Sequence, residues 1–246
     1  MGIDIGGTGV KAAMVDLASG ALATDRLRTL TPRPATPDAV TAVVVDLVRD
    51  LGGSGPVGAA FPAVVQRGVA RSAANVDPSW IGVDVAATLS AATGVAVVVL
   101  NDADAAGLAE MRVGTGRGVP GVVVMVTFGT GIGTGLFVDG TVVPNTELGH
   151  LELDGEEAEK RAAYAVRERE GLSWSEWARR VERYLRHVEM LLTPDLLIVG
   201  GGASKKAEKW LPLVKVATPL RVAGLRNNAG IVGAAFRANE VSNTPR

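Results

Sequence analysis

Cysteine is absent from this chain of 246 residues. That excludes disulfide staples and thiolate zinc sites. Histidine is nearly absent, with only His150 and His187. No charge of one sign dominates: 25 basic against 26 acidic residues leave a formal charge of −1. Nucleic acid therefore meets no general attraction, and any polyanion must be gripped by a local basic cluster. Long apolar runs are also missing. The hydrophobic fraction is 47%, supplied mostly by Ala, Val and Leu, and no run approaches the roughly 20 residues of a membrane span. The opening Met1-Gly2-Ile3-Asp4 lacks the basic and apolar regions of a secretory signal. The expected setting is the cytoplasm, with no membrane partner.

What is present is a pattern of strands punctuated by glycine. Ile3-Asp4-Ile5, Val10 to Val15 and Ala21 to Leu30 read as three antiparallel strands joined by Gly6-Gly7 and Ala18-Ser19-Gly20. Thr36-Pro37-Asp38 opens a helix whose apolar face is Val40, Val43, Val44, Leu47 and Leu51. A strand at Val57 to Ala60, a helix from Asp84 to Thr93 and a buried strand at Val95 to Leu100 follow, the last ending at Asn101-Asp102. The pattern then restarts. A helix to Met111 leads to a strand at Val122 to Phe128, a turn at Gly129 to Gly133 and a hairpin through Asp139-Gly140. Helices are expected over Glu156 to Arg169 and Ser173 to Leu192, the latter with Trp177, Val181, Tyr184, Val188 and Leu191 on one face. A strand at Leu196 to Val199 and a small-residue helix from Asn228 to Asn239 complete the reading, with Val241 to Arg246 expected to fray. The length suits two small lobes with a cleft between them.

Three glycine-rich turns carry the chemistry of anion binding. Asp4-Ile5-Gly6-Gly7-Thr8-Gly9-Val10-Lys11 places a carboxylate before a turn and an ammonium after it. Glycine permits positive φ and close approach of backbone N–H groups, and Thr8 adds a hydroxyl. Because a strand follows, this is neither a Walker loop nor a dinucleotide fingerprint. Phe128 to Gly135 repeats the arrangement, with Thr130 between Gly129 and Gly131. Gly200-Gly201-Gly202-Ala203-Ser204-Lys205-Lys206 sits where a strand is expected to run into a helix, whose N-terminus favours negative charge. Lys11, Lys205, Lys206, Lys209 and Arg226 form either a basic track or scattered surface charge.

Asn101-Asp102 closes a strand, where open α/β sheets place reactive groups. Asp102 can accept a hydroxyl proton as that oxygen attacks phosphorus, and Asn101 can orient the sugar, or Asp102 can simply cap the next helix. Glu147, His150 and Glu159 supply the acceptors and bifunctional groups that a polyol needs. Glu147, His150 and Glu152 also form a weak candidate metal set; His187 reads as a packing or surface residue.

The motifs Asp4-Ile-Gly-Gly-Thr-Gly-Val-Lys11, Ala73-Ala-Asn75-Val-Asp77, Asn101-Asp-Ala-Asp-Ala-Ala106, Phe128-Gly-Thr-Gly-Ile-Gly133, Asn145-Thr-Glu-Leu-Gly-His-Leu-Glu152, Gly200-Gly-Gly-Ala-Ser-Lys-Lys206 and Asn228-Ala-Gly-Ile-Val-Gly-Ala234 together resemble the ROK sugar kinases, and within them the actinobacterial group that uses polyphosphate. The resemblance implies an α/β, actin-like, ribonuclease-H-like fold of two lobes with a central cleft: residues 1–101 with 228–246, and residues 102–227. It implies phosphoryl transfer from polyphosphate, with ATP as another donor, to the 6-hydroxyl of glucose. Asp102 would be the catalytic base, with Asn75, Asn101, Glu147, His150 and Glu159 binding the sugar. Phosphate would meet Asp4, Gly6, Gly7, Thr8, Gly9, Lys11, Thr130, Gly131, Gly201, Gly202, Ser204 and Lys205. Mg²⁺ would ride on the donor, with Asp4 reaching it through water and no direct protein ligand. Gly200 to Ser204 matches the region that handles adenosine in ATP-using relatives. A homodimer is implied. The cysteine-rich zinc loop of most ROK proteins is replaced by Asp154 to Lys160, so no zinc is expected, and without a helix-turn-helix ahead of the first strand no nucleic-acid partner is expected. The competing readings are a strictly ATP-dependent glucokinase or glucomannokinase and a non-catalytic sugar-binding module.

Overall fold

The computed structural model describes residues 1–243. The chain forms two compact units, one of Met1–Val113 with the described chain from Asn227 onward, the other of Gly114–Arg226.

The first unit opens with β1 (Gly2–Gly6), β2 (Gly9–Ala13) and β3 (Leu27–Thr29), an antiparallel meander whose third strand is much shorter than expected. Helix α1 (Pro37–Asp50) starts as its sequence dictates, the Thr36 hydroxyl accepting from the Ala39 N–H ahead of a first-turn proline. Then come β4 (Val57–Phe61), the small hairpin β5 (Val65–Gln66) and β6 (Val69–Ala70), α2 (Val85–Thr93) capped by Asp84, β7 (Val97–Asn101) and α3 (Asp102–Val113). The sheet order is β3-β2-β1-β4-β7, with β4 and β7 parallel to β1. Alternation along β1 sends Ile3 and Ile5 into a core with Val40, Val44 and Leu89 of α1 and α2.

The opposite face is glycine. The final helix α8 (Ala229–Asn243) lies against it so closely that a Cβ on Gly58 would overlap the Ala234 carbonyl, and Gly233 of α8 meets the Ala105 carbonyl of α3 in the same way. This packing assigns α3 to the first unit, so the division falls after Val113 rather than after Asn101. Helix α8 also runs on to Asn243, so Val241 to Asn243 are helical; the remaining expected fray, residues 244–246, lies outside the described residues.

The second unit contains β8 (Val122–Phe128), β9 (Ile132–Val138), β10 (Thr141–Val143), the hairpin β11 (Glu152–Leu153) and β12 (Glu156–Glu157), α4 (Ala158–Ala162), α5 (Tyr164–Glu170), α6 (Trp174–Leu192), β13 (Leu196–Gly200), α7 (Ala207–Trp210) and β14 (Leu220–Val222). Its sheet order, β10-β9-β8-β13-β14, repeats the first unit's sequence of two antiparallel and two parallel pairings. A full capping box starts α6: Ser173 Oγ accepts from the Glu176 N–H, and the Glu176 carboxylate accepts from the Ser173 N–H. The core-facing side of α6 is Trp177, Val181, Tyr184, Leu185 and Val188, whereas Leu191, expected there, is half exposed.

The single helix expected over Glu156 to Arg169 is interrupted. Glu156 and Glu157 are strand, and Ala163 takes an extended ψ of 150° between α4 and α5. The Trp177 indole N–H fixes the break by donating to the carbonyls of Ala162 (3.0 Å) and Ala163 (3.3 Å). Trp177 itself is locked edge-to-face against Phe128 and Trp210, at centroid distances of 5.8 and 4.9 Å.

Candidate active site

In the first unit the turn between β1 and β2 is Gly7-Thr8, and none of Gly6, Gly7 or Gly9 has a positive φ. Close approach, not backbone conformation, calls for glycine here: a Cβ on Gly7 would lie 2.6 Å from the Cβ of Asn75, itself left-handed at φ 63°. Asn75, expected at the sugar, thus stands against the turn expected to hold phosphate. Thr31 reinforces the turn, its hydroxyl donating to the Gly6 carbonyl. Thr8 is exposed, while Lys11 donates to Asp4 at 2.7 Å, so these two charges meet each other first.

At the end of β7 the polar pair divides its work. Asn101 is buried; its Oδ1 accepts from the N–H groups of Ala103 (2.8 Å) and Asp104 (3.1 Å), and its Nδ2 donates to the Ala63 carbonyl (3.0 Å). Asn101 is therefore a cap of α3, and Asp102 already lies inside the first turn of that helix. The same bonds correct the expectation for Asn101. Both acceptor positions of its amide are taken, so it keeps one N–H for a ligand and cannot also accept. Asp102 is exposed in the first turn of α3.

In the second unit the turn between β8 and β9 is Gly129-Thr130-Gly131, again without positive φ. A Cβ on Gly131 would lie 2.5 Å from Glu159 Oε2, and that oxygen accepts from the Ile132 N–H at 3.2 Å. Gly131, expected to meet phosphate, leaves room for a carboxylate, and one backbone donor beside it is already used. Thr130 is exposed at the tip. Ile132 is the hub of this site. Its carbonyl is covered by Gly149, where any Cβ would overlap it, which seats the 3₁₀ turn Leu148–His150 on the start of β9. Buried Thr134 fastens the approach to that turn, its hydroxyl donating to the Thr146 carbonyl and accepting from the Leu148 N–H.

The result gathers His150 with three carboxylates: Glu157 at 3.5 Å, Glu147 at 3.8 Å and Glu159 at 3.9 Å. Glu147 is held above the usual carboxylate range, mainly because it loses water and further because Glu159 repels it, against the pull of His150. Glu157 is held below it by its hydrogen bond with Lys160. Among the described residues, the candidate ligands within mutual reach are His150, Glu157 and Glu159, not the expected Glu147, His150 and Glu152. Glu157 was missed because the β11–β12 hairpin that carries it is not visible as alternation in Glu-Leu-Asp-Gly-Glu-Glu.

The third turn departs most from expectation. No long helix follows β13, only a 3₁₀ stretch, Gly202–Lys206, and the four-residue α7. The helix-terminus argument for anions therefore lapses. Gly201 needs its glycine, with φ 74° and Phe128 backbone atoms 2.6 Å from any Cβ. The Ser204 hydroxyl donates to the Gly201 carbonyl at 2.8 Å, so it cannot also donate to phosphate. Gly202 and Lys205 are exposed. Two members of the candidate basic track have partners of their own: Lys11 pairs with Asp4, and the Lys209 ammonium sits 5.9 Å over the Trp174 ring.

The family model described as ROK family matches residues 1–163. This chain belongs to the ROK family. Its relatives include the polyphosphate glucokinases of Mycobacterium tuberculosis, 52% identical over 96% of this chain and 89% of the relative, and of Mycobacterium leprae, 50% identical over 96% and 73%. Among solved structures, the inorganic polyphosphate/ATP-glucomannokinase of Arthrobacter sp. strain KM superposes with a TM-score of 0.92, 51% identity and 98% of both chains covered. The ROK glucokinase of Streptomyces griseus, crystallised with glucose and AMPPNP, superposes at 0.82 with 23% identity over 97% of this chain and 98% of that one, a likeness of fold. The fold is thus the actin-like, ribonuclease-H-like α/β architecture of ROK kinases, each unit built on the same sheet order.

Proposed function

We propose that this chain is a glucokinase that transfers the terminal phosphoryl group of inorganic polyphosphate to the 6-hydroxyl of glucose, with ATP as a second donor. The observation that carries the reading is the seat of Glu159 on the second glycine turn beside His150 and Glu147, a set of acceptors suited to a polyol. The choice of donor is supported by relatives of about half identity named as polyphosphate glucokinases.

In this reading Glu147, His150 and Glu159 hold the sugar. Asp102 takes the proton of its 6-hydroxyl as that oxygen forms a bond to the terminal phosphorus, and the bond from phosphorus to the bridging oxygen breaks, leaving a chain one phosphate shorter. Thr8 and the backbone of the first turn meet the donor, Lys11 adds charge beside them, and Asn75 fixes the turn from behind. Mg²⁺ supplies charge neutralisation on the donor. Asp4 on the face of β1 suits a cation held mainly by phosphate oxygens and water, since one carboxylate is too few for an all-protein site. The exposed Met190 and Leu191 near the end of α6 are a surface for the homodimer the family resemblance implies, and the proposed setting is the cytoplasm.

Initial rates with purified polyphosphate and with ATP, using glucose and mannose as acceptors, test the reading. Glucose 6-phosphate formation from polyphosphate is expected. Activity with ATP alone would establish the ATP-dependent alternative, and glucose binding without transfer from either donor would establish the sugar-binding module.

A further inference from the structure

On the α8 side of the first sheet, three charged residues stand in one cross-strand row. Asp4 is paired with Lys11, and Lys11 with Arg28, each directly opposite in register, so their side chains share a face. Like charges directly opposite one another are destabilising, and a negative group beside them offsets the repulsion. Asp4 serves Lys11, at 2.7 Å. The start of α8 presses on that same carboxylate, with Gly230 so near that a Cβ would lie 3.1 Å from Asp4 Cγ. That one carboxylate therefore meets an ammonium and the positive end of a 15-residue helix.

Arg28 is the member of the row left without a carboxylate among the described residues. Its neighbour Arg26 is tied to Asn228 Oδ1 at 3.0 Å. Arg28 instead leans along β3 towards the glycine turn. Its Nε would be 2.9 Å from a Cβ on Gly9, and its Nη2 is 3.5 Å from the Thr8 carbonyl. The exposed guanidinium thus lies against backbone that glycine leaves bare, beside the turn.

We infer that Arg28 is a donor-binding residue that holds a phosphate on the leaving side of the bond being broken. This rests on the kinase reading above. A planar fork of donors matches two oxygens of one phosphate, which an ammonium cannot do. A donor whose terminal phosphate lies at Thr8 has its next phosphates one bridging oxygen away, within reach of a side chain already at that turn. The charge of the row is balanced when that chain is bound. The competing explanation is that Arg28 merely guards an exposed edge strand, as basic residues often do.

Arg28→Gln and Arg28→Lys separate the two. Loss of the fork is expected to raise the KM for polyphosphate about tenfold in Arg28→Gln, with a smaller rise in Arg28→Lys, while the KM for glucose stays within about twofold. The salt dependence of the polyphosphate KM should also flatten. A parallel rise with ATP assigns Arg28 to phosphates both donors possess; a rise with polyphosphate alone assigns it to one further along the chain. An unchanged polyphosphate KM, or donor and glucose KM rising together, would overturn the inference. If the wild type transfers from neither donor, the kinase reading fails, and calorimetric titration with tripolyphosphate still decides. Binding about tenfold weaker in Arg28→Gln supports the site, and equal binding removes it.

Discussion

Adjacent polar residues at the end of a strand compete for the same helix cap, and here the competition is resolved in favour of Asn101. Asp102 is then left to be tested as a base. Asp102→Asn keeps the shape and removes the proton acceptor, so turnover should fall at least about 10²-fold with the glucose dissociation constant unchanged. Unaltered turnover would take Asp102 out of the mechanism. Glu147 makes a pH prediction. Its carboxyl titrates above the ordinary range because its ionised form is poorly hydrated, and a sugar hydroxyl donates best to the ionised form. Glucose affinity should therefore fall on acidification, beginning at higher pH than for an ordinary glutamate, and Glu147→Gln should abolish that limb in titrations followed by calorimetry. The linked effect on stability has the opposite sense. A raised carboxyl favours the folded state below its folded pKa, so acidification through this group alone strengthens folding while weakening the sugar site. The grouping of Glu147 with His150 was legible because both sit in one short motif whose chemistry depends on residue type. Arg28 and Glu157 were not, since both depend on cross-strand register, which no local pattern specifies.

At the scale of elements, helix α8 shows what composition can and cannot convey. Its glycines and alanines read directly as a close-packing face, but the partners, the bare strands at Gly58 and the carbonyl of Ala105, come from far along the chain. Gly233→Ala would drive a methyl group into a backbone carbonyl that cannot rotate away. A loss of about 3 kcal/mol is expected, visible as a lower denaturation midpoint with unchanged denaturant slope. The interruption at Ala163 is the converse case. Ala158 to Ala165 has strong helix-forming composition, and the sequence-based expectation was one continuous helix. Two carbonyl bonds from a buried indole override that preference and set the length of α4, the element that delivers Glu159.

Across the whole molecule, the strand-turn-strand theme noticed twice in the sequence corresponds to one sheet order used twice. The boundary between the units was displaced by the length of α3, because Asp102 looks like a beginning in sequence while its helix belongs by packing to what precedes it. The third glycine turn resembled an anion site in composition and differs in structure because its hydroxyl and its backbone are bonded to each other.

The repeated plan has been fitted with opposite charge. The hairpin of the first unit is lined by Lys11 and Arg28, and the equivalent hairpin of the second holds the carboxylate of Glu159. In the proposed reading, preference for a phosphate source and preference for a sugar lie in separate stretches of the gene, residues 4–31 and 130–159. Selection can revise one without disturbing the other, so a lineage can exchange its energy supply while keeping its nutrient.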